Sequence, residues 1–278
     1  MPTRERALES LADAFRLDES DVGWTREISS FWTFGDRLVF GGYVGSLTLA
    51  AAAAATGMAN VISCHIMFLG STDPSPILLV VESLREGRVA SGVRVTASQE
   101  GEVVVATQAW LSSHPHIGSS AKRAEWACSP SPDESEPITF RSQEIAFMGV
   151  LEERAVEYPV SSASFHSGPE QVDVWSRPAL PLGDNGGLCS QLFDVMCLDA
   201  HVLDAALSAR ASTDVTTASV DLSVEWYDTS RDDGWRRVRT QSGAVDSEFV
   251  STSGTVHSRS GRLRARGMQT GRVWRSPR

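Results

Sequence analysis

Asp199 is the residue of this chain whose surroundings best suit acid–base chemistry. It lies within a predicted helix from Leu188 to Leu207, and residues three and four positions away share one face of a helix. All four of these neighbours are apolar. They are Val195, Met196, Val202 and Leu203. Because burying an unpaired carboxylate is costly, Asp199 is either a structural residue satisfied by hydrogen bonds or a group held for proton transfer.

Two other acids of the same helix have polar neighbours. Asp194 follows Gln191 by less than one turn, and Asp204 follows His201 at the same spacing. We interpret both acids as ordinary residues on the flank of the helix. Asp199 is therefore the outlier of the three.

Other groupings of reactive side chains have weaker support. Ser190, His201 and Asp204 could form a nucleophilic triad, but no GxSxG turn surrounds the serine and the spacing is only local. The histidines lack the spacing of metal ligands, so we interpret His65 as a packed or hydrogen-bonded residue. The glycine-rich segment 184–187 lacks both P-loop and dinucleotide spacing and predicts a helix entry instead.

The composition indicates a globular protein with a proper core. The chain has 278 residues, of which 41% are hydrophobic, and a formal net charge of −10. This acidic balance disfavours nucleic acid and anionic membranes as main partners, since both require a basic face. The four cysteines lack zinc or disulfide spacing, which fits a cytoplasmic location. The charged segment Met1 to Leu17 argues against a signal peptide, and the run Gly41 to Met58 predicts a buried helix, not a membrane span.

The order of predicted elements indicates an internal duplication. In each half, strand-like residues and a glycine turn precede one long helix and several antiparallel strands. The first half is predicted to contain strand-like Phe31–Phe40, a helix Tyr43–Thr56 capped by Gly57, and strands Val61–Leu69, Ile77–Leu84, Val89–Ser98 and Val103–Leu111. The second is predicted to contain strand-like Glu144–Glu157 and Val172–Arg177, the helix of Asp199, and strands Thr217–Tyr227, Trp235–Thr240, Ser247–His257 and Arg262–Trp274. The pattern is typical of an α+β fold.

Several short segments also carry a family resemblance. In the first half they are Phe40-Gly41-Gly42 before the alanine-rich helix, His65 to Leu69 and Val81 to Gly87. In the second half they are Val174 to Arg177 and Gly267 to Gly271. These segments resemble the double-hotdog acyl-CoA thioesterases of the bacterial thioesterase II type. One departure is Gly70-Ser71-Thr72-Asp73, which replaces the family's usual Arg-Pro-Gly turn.

The resemblance implies a fold and a set of site residues. The fold is two fused hotdog domains, each a curved antiparallel sheet wrapped around one long helix, at 1–112 and 141–278 with a linker at 113–140. The family's catalytic set is an Asp on the second helix, a Thr on the next strand and a Gln near the C-terminus. The matching positions are Asp199, Ser219 and Gln269. The resemblance further implies lipid metabolism, an acyl-CoA or acyl-carrier thioester substrate, no cofactor and a homo-oligomer.

The alternation of side chains along a strand predicts, without the family resemblance, which way Gln269 and Ser219 point. Gln269 has the parity of the apolar residues Leu263 and Ala265, so it is predicted to point inward. Ser219 has the parity of polar residues, so it is predicted to point away from the apolar face of its strand. It would reach Asp199 if the strand begins with a β-bulge or if the site lies between the two halves.

These inferences combine into one expected reaction, the hydrolysis of a thioester. Asp199 is expected to accept a proton from a water that Ser219 and Gln269 orient toward the carbonyl carbon. The backbone N–H groups of Gly42 and Tyr43, at a helix N-terminus, are expected to bind the carbonyl oxygen. Two alternatives stay open. One is a non-catalytic acyl-thioester binding protein, and the other is an enoyl-thioester hydratase, whose paired Asp/His motif is missing from both glycine helix entries.

Overall fold

The computed structural model describes residues 8–35, 38–116, 118, 123–161, 170–184, 186–208, 215–232, 234–243 and 248–275. Its helices are α1 (Leu11–Ala14), α2 (Gly41–Thr56), α3 (Phe140–Glu144) and α4 (Gly186–Ser208). Short 3-10 helices lie at Ser30–Trp32, Glu125–Cys128, Pro132–Glu134 and Ala146–Val150. Among these described helices, none is long and apolar enough to span a membrane.

Two sheets account for the described strands. The strands of the first half are β1 (Asp18–Ser20), β2 (Gly23–Glu27), β3 (Thr33–Phe34), β4 (Leu38–Val39), β5 (Asn60–Phe68), β6 (Pro76–Arg85), β7 (Ala90–Gln99) and β8 (Glu102–Ser112). Those of the second half are β9 (Glu136–Pro137), β10 (Leu151–Glu157), β11 (Gln171–Pro178), β12 (Val215–Trp226), β13 (Arg236–Ser242), β14 (Phe249–Ser258) and β15 (Leu263–Arg275). β3 and β4 form a hairpin of their own, and the other strands form the main sheet.

The main sheet has the same strand order in both halves of the chain. From its middle outward, the first half runs β5, β8, β7, β6, β2, and the second half runs β12, β15, β14, β13, β11. β5 pairs antiparallel with β12, so the two half-sheets are joined at the centre. One half-sheet contacts α2 and the other contacts α4. This arrangement confirms the predicted duplication and the α+β fold of two fused hotdog units.

The two central helices touch each other inside the curved sheet. The alanine run 50–55 favours helix formation, and Gly57, with a φ of 65°, ends α2 in the left-handed conformation predicted for it. Ser46 Oγ donates a hydrogen bond to the Leu192 carbonyl of α4 at 3.1 Å. The small side chains of α2 therefore place the entry of one helix beside the middle of the other.

Aromatic packing breaks two of the predicted strands. The stretch Phe31–Phe40 is predicted as one strand, whereas it folds into a 3-10 turn and the hairpin of β3 and β4. Trp32 in that turn stacks on Tyr43 with ring centroids 3.9 Å apart. The first predicted strand of the second half likewise begins with 3-10 helix, where Phe147 stacks on Phe40 at 4.5 Å. Burial of these rings outweighs the strand pattern.

The N-terminal segment and the predicted linker both contribute strands to the main sheet. β2 pairs with β1 and with β6, although its mixed polar sequence gives no alternation from which to predict it. Within the predicted linker 113–140, β9 pairs with β10. The domain boundaries at 112 and 141 stay predictions.

Asp194 anchors α4 to the sheet through two buried ion pairs. Arg236 Nε lies 2.5 Å from Asp194 Oδ1, and Arg264 Nη2 lies 3.3 Å from Oδ2. A register shift in β15 leaves Arg264 unpaired in the strand ladder and turns it toward the helix. The interpretation of Asp194 as an ordinary flank residue is therefore wrong, because its partners come from distant strands.

We expect Asp194→Ala to lower the free energy of unfolding by about 3–5 kcal/mol, because two buried guanidinium groups lose their counter-ion. Urea unfolding followed by circular dichroism measures the change. Asp133→Ala is the matched control, since Asp133 pairs with Arg259 on the surface and its loss should leave the midpoint nearly unchanged. Equal effects of the two substitutions would contradict the anchoring role.

Candidate active site

The carboxylate of Asp199 lies where the two halves of the molecule meet. It projects from the middle of α4 toward the first turn of α2, and the backbone N–H of Gly42 donates to its Oδ2 at 2.6 Å. Helix N-termini present unpaired N–H groups and partial positive charge, both of which suit a carboxylate. The site therefore combines a side chain from the second half with a backbone donor from the first.

Ser219 and Gln269 complete the group of residues around this carboxylate. Ser219 Oγ donates to Asp199 Oδ1 at 3.1 Å. Gln269 Nε2 donates to the same oxygen and to Ser219 Oγ, the second contact at 2.9 Å. Gln269 is only 2% exposed, as its strand parity predicts. The structure thus brings together the three residues predicted as the catalytic set.

A β-bulge explains how Ser219 reaches Asp199. Ser219 pairs with Gly271 of β15 and Asp221 pairs with the adjacent Thr270, so Val220 is an extra residue in β12. One extra residue reverses the inside–outside alternation on either side of it. The prediction that Ser219 points away from the apolar face is wrong, and the bulge considered as an alternative is present.

Gly41 and Gly42 allow the close approach of the carboxylate. A Cβ atom on Gly41 would lie 3.0 Å from Asp199 Oδ2, and one on Gly42 would lie 3.0 Å from Asp199 Cβ and 2.6 Å from the ring of Phe40. Any side chain at these positions would press on the aspartate or on the packed aromatic ring. The glycine pair is therefore required by the geometry of the site.

The two predicted backbone donors already have partners within the protein. The N–H of Gly42 donates to Asp199, and the N–H of Tyr43 donates to the Phe40 carbonyl at 3.1 Å. The phenol of Tyr43 is buried and donates to the Ala14 carbonyl at 3.0 Å. Binding of a substrate carbonyl by Gly42 and Tyr43 stays a prediction.

Asp199 differs from the other acids of α4 in having only uncharged donors. Among the ion pairs of the described residues, none includes Asp199, whereas Asp204 lies 3.1 Å from Arg141 and accepts from Tyr158 at 2.7 Å. Burial alone would raise the pKa of Asp204, but Arg141, together with His201 and Tyr158, lowers it. The interpretation of Asp204 as an ordinary flank residue is therefore also wrong.

The pKa of Asp199 is displaced in the opposite direction. Burial raises the pKa of this carboxyl above its usual value, and the hydrogen bonds from Gln269, Ser219 and Gly42 only partly oppose the rise. A carboxylate with a raised pKa and no cationic partner is a stronger base than an ordinary aspartate. This electrostatic environment suits Asp199 to proton transfer.

Asp199 opens into a cavity of about 720 Å³. Most of its wall is apolar, with contributions from the β3–β4 hairpin, the residues after β5, the C-terminal half of α4 and the ends of β12 and β15. Apolar wall residues include Leu38, Val44, Phe68, Leu203, Leu207 and Trp274. Gly70, Ser71 and Thr72, which belong to the turn that differs from the family's usual sequence, also line the cavity. A cavity of this size and lining can hold an apolar chain against the carboxylate.

Sequence reasoning missed one polar side of this cavity. Arg141 lines it beside Asp204, and Arg141 Nη2 donates to the Ala200 carbonyl at 2.9 Å. His201, with no exposed surface, lies within 3.0 Å of Arg141 and 2.7 Å of Glu153. No pattern in the sequence connects Arg141 with α4, because the pairing depends on how the segment before β10 folds back.

The structure separates the alternative triad and gives His65 a structural partner. Ser190 and His201 are about 16 Å apart along α4, at about 1.5 Å per residue. Ser190 Oγ instead accepts from Arg236 and Arg264 at 2.7 and 2.9 Å. His65 Nδ1 lies 2.8 Å from Ser223 Oγ across the β5–β12 junction, as a hydrogen-bonded residue would.

The fold and the site together define a double-hotdog protein with one carboxylate–amide–hydroxyl group between its halves. Sequence comparison agrees. Residues 28–112 match the model of the acyl-CoA thioesterase N-terminal domain, and residues 127–273 match that of the C-terminal domain. The chain belongs to the acyl-CoA thioesterase family, and it is a thioester hydrolase.

Solved structures share this fold at low sequence identity. An acyl-CoA thioesterase II from Mycobacterium marinum is 22% identical, with a TM-score of 0.77 over 96% of this chain and 98% of that one. A TesB protein from Mycobacterium avium subspecies paratuberculosis is 20% identical, with a TM-score of 0.75 over 95% and 98%. A hot dog fold protein from Alicyclobacillus acidocaldarius, of unknown function, is 16% identical, with a TM-score of 0.79 over 96% and 98%. Comparison with curated proteins finds no match.

We expect Gly41→Ala to reduce kcat by about tenfold or more and to lower the thermal unfolding midpoint, because the new methyl group would lie 3.0 Å from both the Asp199 carboxylate and the Phe68 ring. Steady-state thioester hydrolysis and thermal unfolding measure the two effects. Gly149→Ala is the matched control, since a Cβ there meets no neighbouring atom. Unchanged turnover of Gly41→Ala would show that the close approach of this glycine to the carboxylate is dispensable.

Proposed function

We propose that the protein hydrolyses an acyl-CoA to the free acid and CoA, with a water activated by Asp199. One observation carries the proposal: Asp199 faces a mostly apolar cavity, and within the described part of the chain its hydrogen bonds come from the uncharged donors Gly42, Ser219 and Gln269. Such a carboxylate can take a proton from water without first breaking an ion pair. The family membership supplies the thioester, and the geometry supports the roles of the individual residues.

The reaction follows from these donors and acceptors. The water oxygen attacks the thioester carbonyl carbon while Asp199 takes one water proton. The carbon–sulfur bond then breaks, and the same proton passes to the departing thiolate, so no covalent intermediate is required. Gln269 Oε1 is buried and has no hydrogen-bond partner among the described residues. This oxygen is closed to the cavity, so we assign Gln269 an indirect role, in which its Nε2 group holds Asp199 and Ser219 in the orientation that receives the water proton.

Ser219 has a supporting role in this proposal. Its hydroxyl donates to Asp199 and accepts from Gln269, so it links the base to the amide. A hydroxyl in this position holds the carboxylate rotamer and leaves the Gln269 carbonyl oxygen facing away from the acid. Threonine would supply the same two hydrogen bonds, and the bulge at Val220 is what brings residue 219 to them.

The observed placement favours catalysis over the two alternatives. A non-catalytic binding protein gains nothing from a carboxylate desolvated against neutral donors, since the arrangement costs stability. A hydratase of this fold would carry paired Asp and His residues at a helix entry, whereas the entries here are glycines. The acyl chain length, a carrier-bound thioester as an alternative substrate, the role in lipid metabolism, the cytoplasmic location and the homo-oligomer stay predictions.

We expect Asp199→Asn to lower turnover by about 10²–10⁴-fold, the usual contribution of a general base. Free-thiol release from short, medium and long acyl-CoAs is the measurement, with Asp133→Asn as a surface control. The unfolding midpoint of Asp199→Asn at neutral pH should not be lower than that of the wild type. The raised pKa of Asp199 means that folding disfavours its charged form, which the amide removes. A folded variant with near-normal turnover on every chain length would refute the role of Asp199.

The pH profile gives a second test. Only ionised Asp199 can accept a proton, so kcat/KM should fall on the acid side with an apparent pKa above the usual aspartate value, in the direction that burial sets. Gln269→Ala removes a donor to the carboxylate and should therefore move this acid limb to still higher pH. A limb that moves to lower pH in Gln269→Ala would contradict the proposed contact.

A further inference from the structure

A second concave surface lies on the outer face of the sheet, away from Asp199. It is a groove of about 730 Å³ across β12 to β15, lined among others by Trp126, Tyr227, Arg239, Thr255, Arg266 and Met268. Met268 is 65% exposed on this face, whereas the next residue, Gln269, is buried on the other. The groove and the candidate active site therefore lie on opposite faces of one sheet.

Two arginines and a hydroxyl are aligned across this groove by strand register. Arg239 of β13 pairs with Thr255 of β14, and Thr255 pairs with Arg266 of β15. Neighbouring strands lie about 4.8 Å apart, so the two arginine backbones are about 9.6 Å apart with the threonine between them. Both arginine side chains line this groove, so their guanidinium groups face the same space.

Neither arginine forms an ion pair within the described part of the chain. Arg237, in the same region, does have a carboxylate partner, because its Nε lies 2.6 Å from Asp173 Oδ1. The nearest acid in the register is Glu225, opposite Arg266 on β12, and its carboxylate accepts from Tyr227 at 3.2 Å instead. Each guanidinium group therefore keeps a charge that no carboxylate of the described residues pairs with, which suits it to bind an anion.

Aromatic rings hold both guanidinium groups in place. Arg239 lies 4.7 Å from the ring centroid of Trp126, and Arg266 lies 5.5 Å from that of Tyr227. Such stacking restrains the arginine without using its N–H donors, because the ring contacts the flat face of the guanidinium group. Among the described residues neither guanidinium group has a hydrogen-bond acceptor, so its N–H donors can bind a ligand in the groove.

The surroundings of His257 indicate that this region is electropositive. Burial, together with the charges of Arg266, Arg237 and Arg239, lowers the pKa of His257 to about 4. A positive region is unusual on a protein whose formal net charge is −10. It would attract anions despite the overall charge.

We propose that this groove is a binding site for a diphosphate group, with Arg239 and Arg266 contacting its phosphoryl oxygens and Thr255 donating a hydrogen bond between them. Planar guanidinium groups match phosphate oxygens in bidentate geometry, and two of them suit a group with several negative oxygens better than one with a single charge. The diphosphate could be free or part of a nucleotide, and the same contacts would bind either.

Isothermal titration of the whole protein with inorganic pyrophosphate and with ADP tests the site, with adenosine as the uncharged comparison. We expect saturable binding of both anions and none of adenosine. Tighter binding of ADP than of pyrophosphate would assign the site to a nucleotide, and the reverse order would assign it to the free anion. Absence of saturable binding of either anion at millimolar concentration would overturn the proposal.

Substitutions then locate the binding. Arg239→Gln and Arg266→Gln should each weaken it by about tenfold or more, the effect of losing a charge-assisted contact. Glu225→Gln should strengthen it severalfold, because it removes the nearby negative charge. Arg94→Gln, on the outer face of the other half, is the matched control and should have no effect. Equal weakening by the control and the groove variants, or no weakening by either groove variant, would contradict the assignment.

Discussion

The contact between the first turn of α2 and the carboxylate of Asp199 is the constraint on which the site depends. It requires that the two central helices touch, that the entry of α2 carries glycines, and that the half-sheets meet at β5 and β12. A helix N-terminus offers positive potential without a mobile cation, so it holds the carboxylate and leaves its basicity largely intact. The contact between the two central helices and the pairing of β5 with β12 together hold Gly42 and Asp199 at hydrogen-bonding distance.

The three acids of α4 show how partner type separates structure from chemistry. Asp194 pairs with two arginines of the sheet, and Asp204 pairs with Arg141 of α3. Asp199, five residues from each, accepts hydrogen bonds from neutral donors and has no ion pair with a described residue. Buried carboxylates on one helix therefore behave differently. The pKa of Asp204, which has a cationic partner, is lowered, whereas that of Asp199, which has neutral donors, is raised.

The two long helices and most of the long strands could be predicted from sequence, and the three central residues of the site through the family resemblance, whereas the contacts that orient them could not. Gln269 follows simple alternation, and its inward position was predictable. Ser219 does not, because the extra residue Val220 is visible only from the pairing of β12 with β15. Asp194 and Arg141 were out of reach for a different reason: their partners lie far along the chain, and local periodicity carries no information about which distant side chains meet.

The internal duplication permits an inequality between the halves that two separate identical subunits could not have. Counted from the first residue of each central helix, the position on α2 equivalent to Asp199 is Ala54, which is exposed. The helix entry at Gly187 thus corresponds to that at Gly42, while the equivalent of Asp199 is an alanine. Fusion into one chain lets each half diverge on its own, so one unit can supply reactive side chains while the other becomes their scaffold.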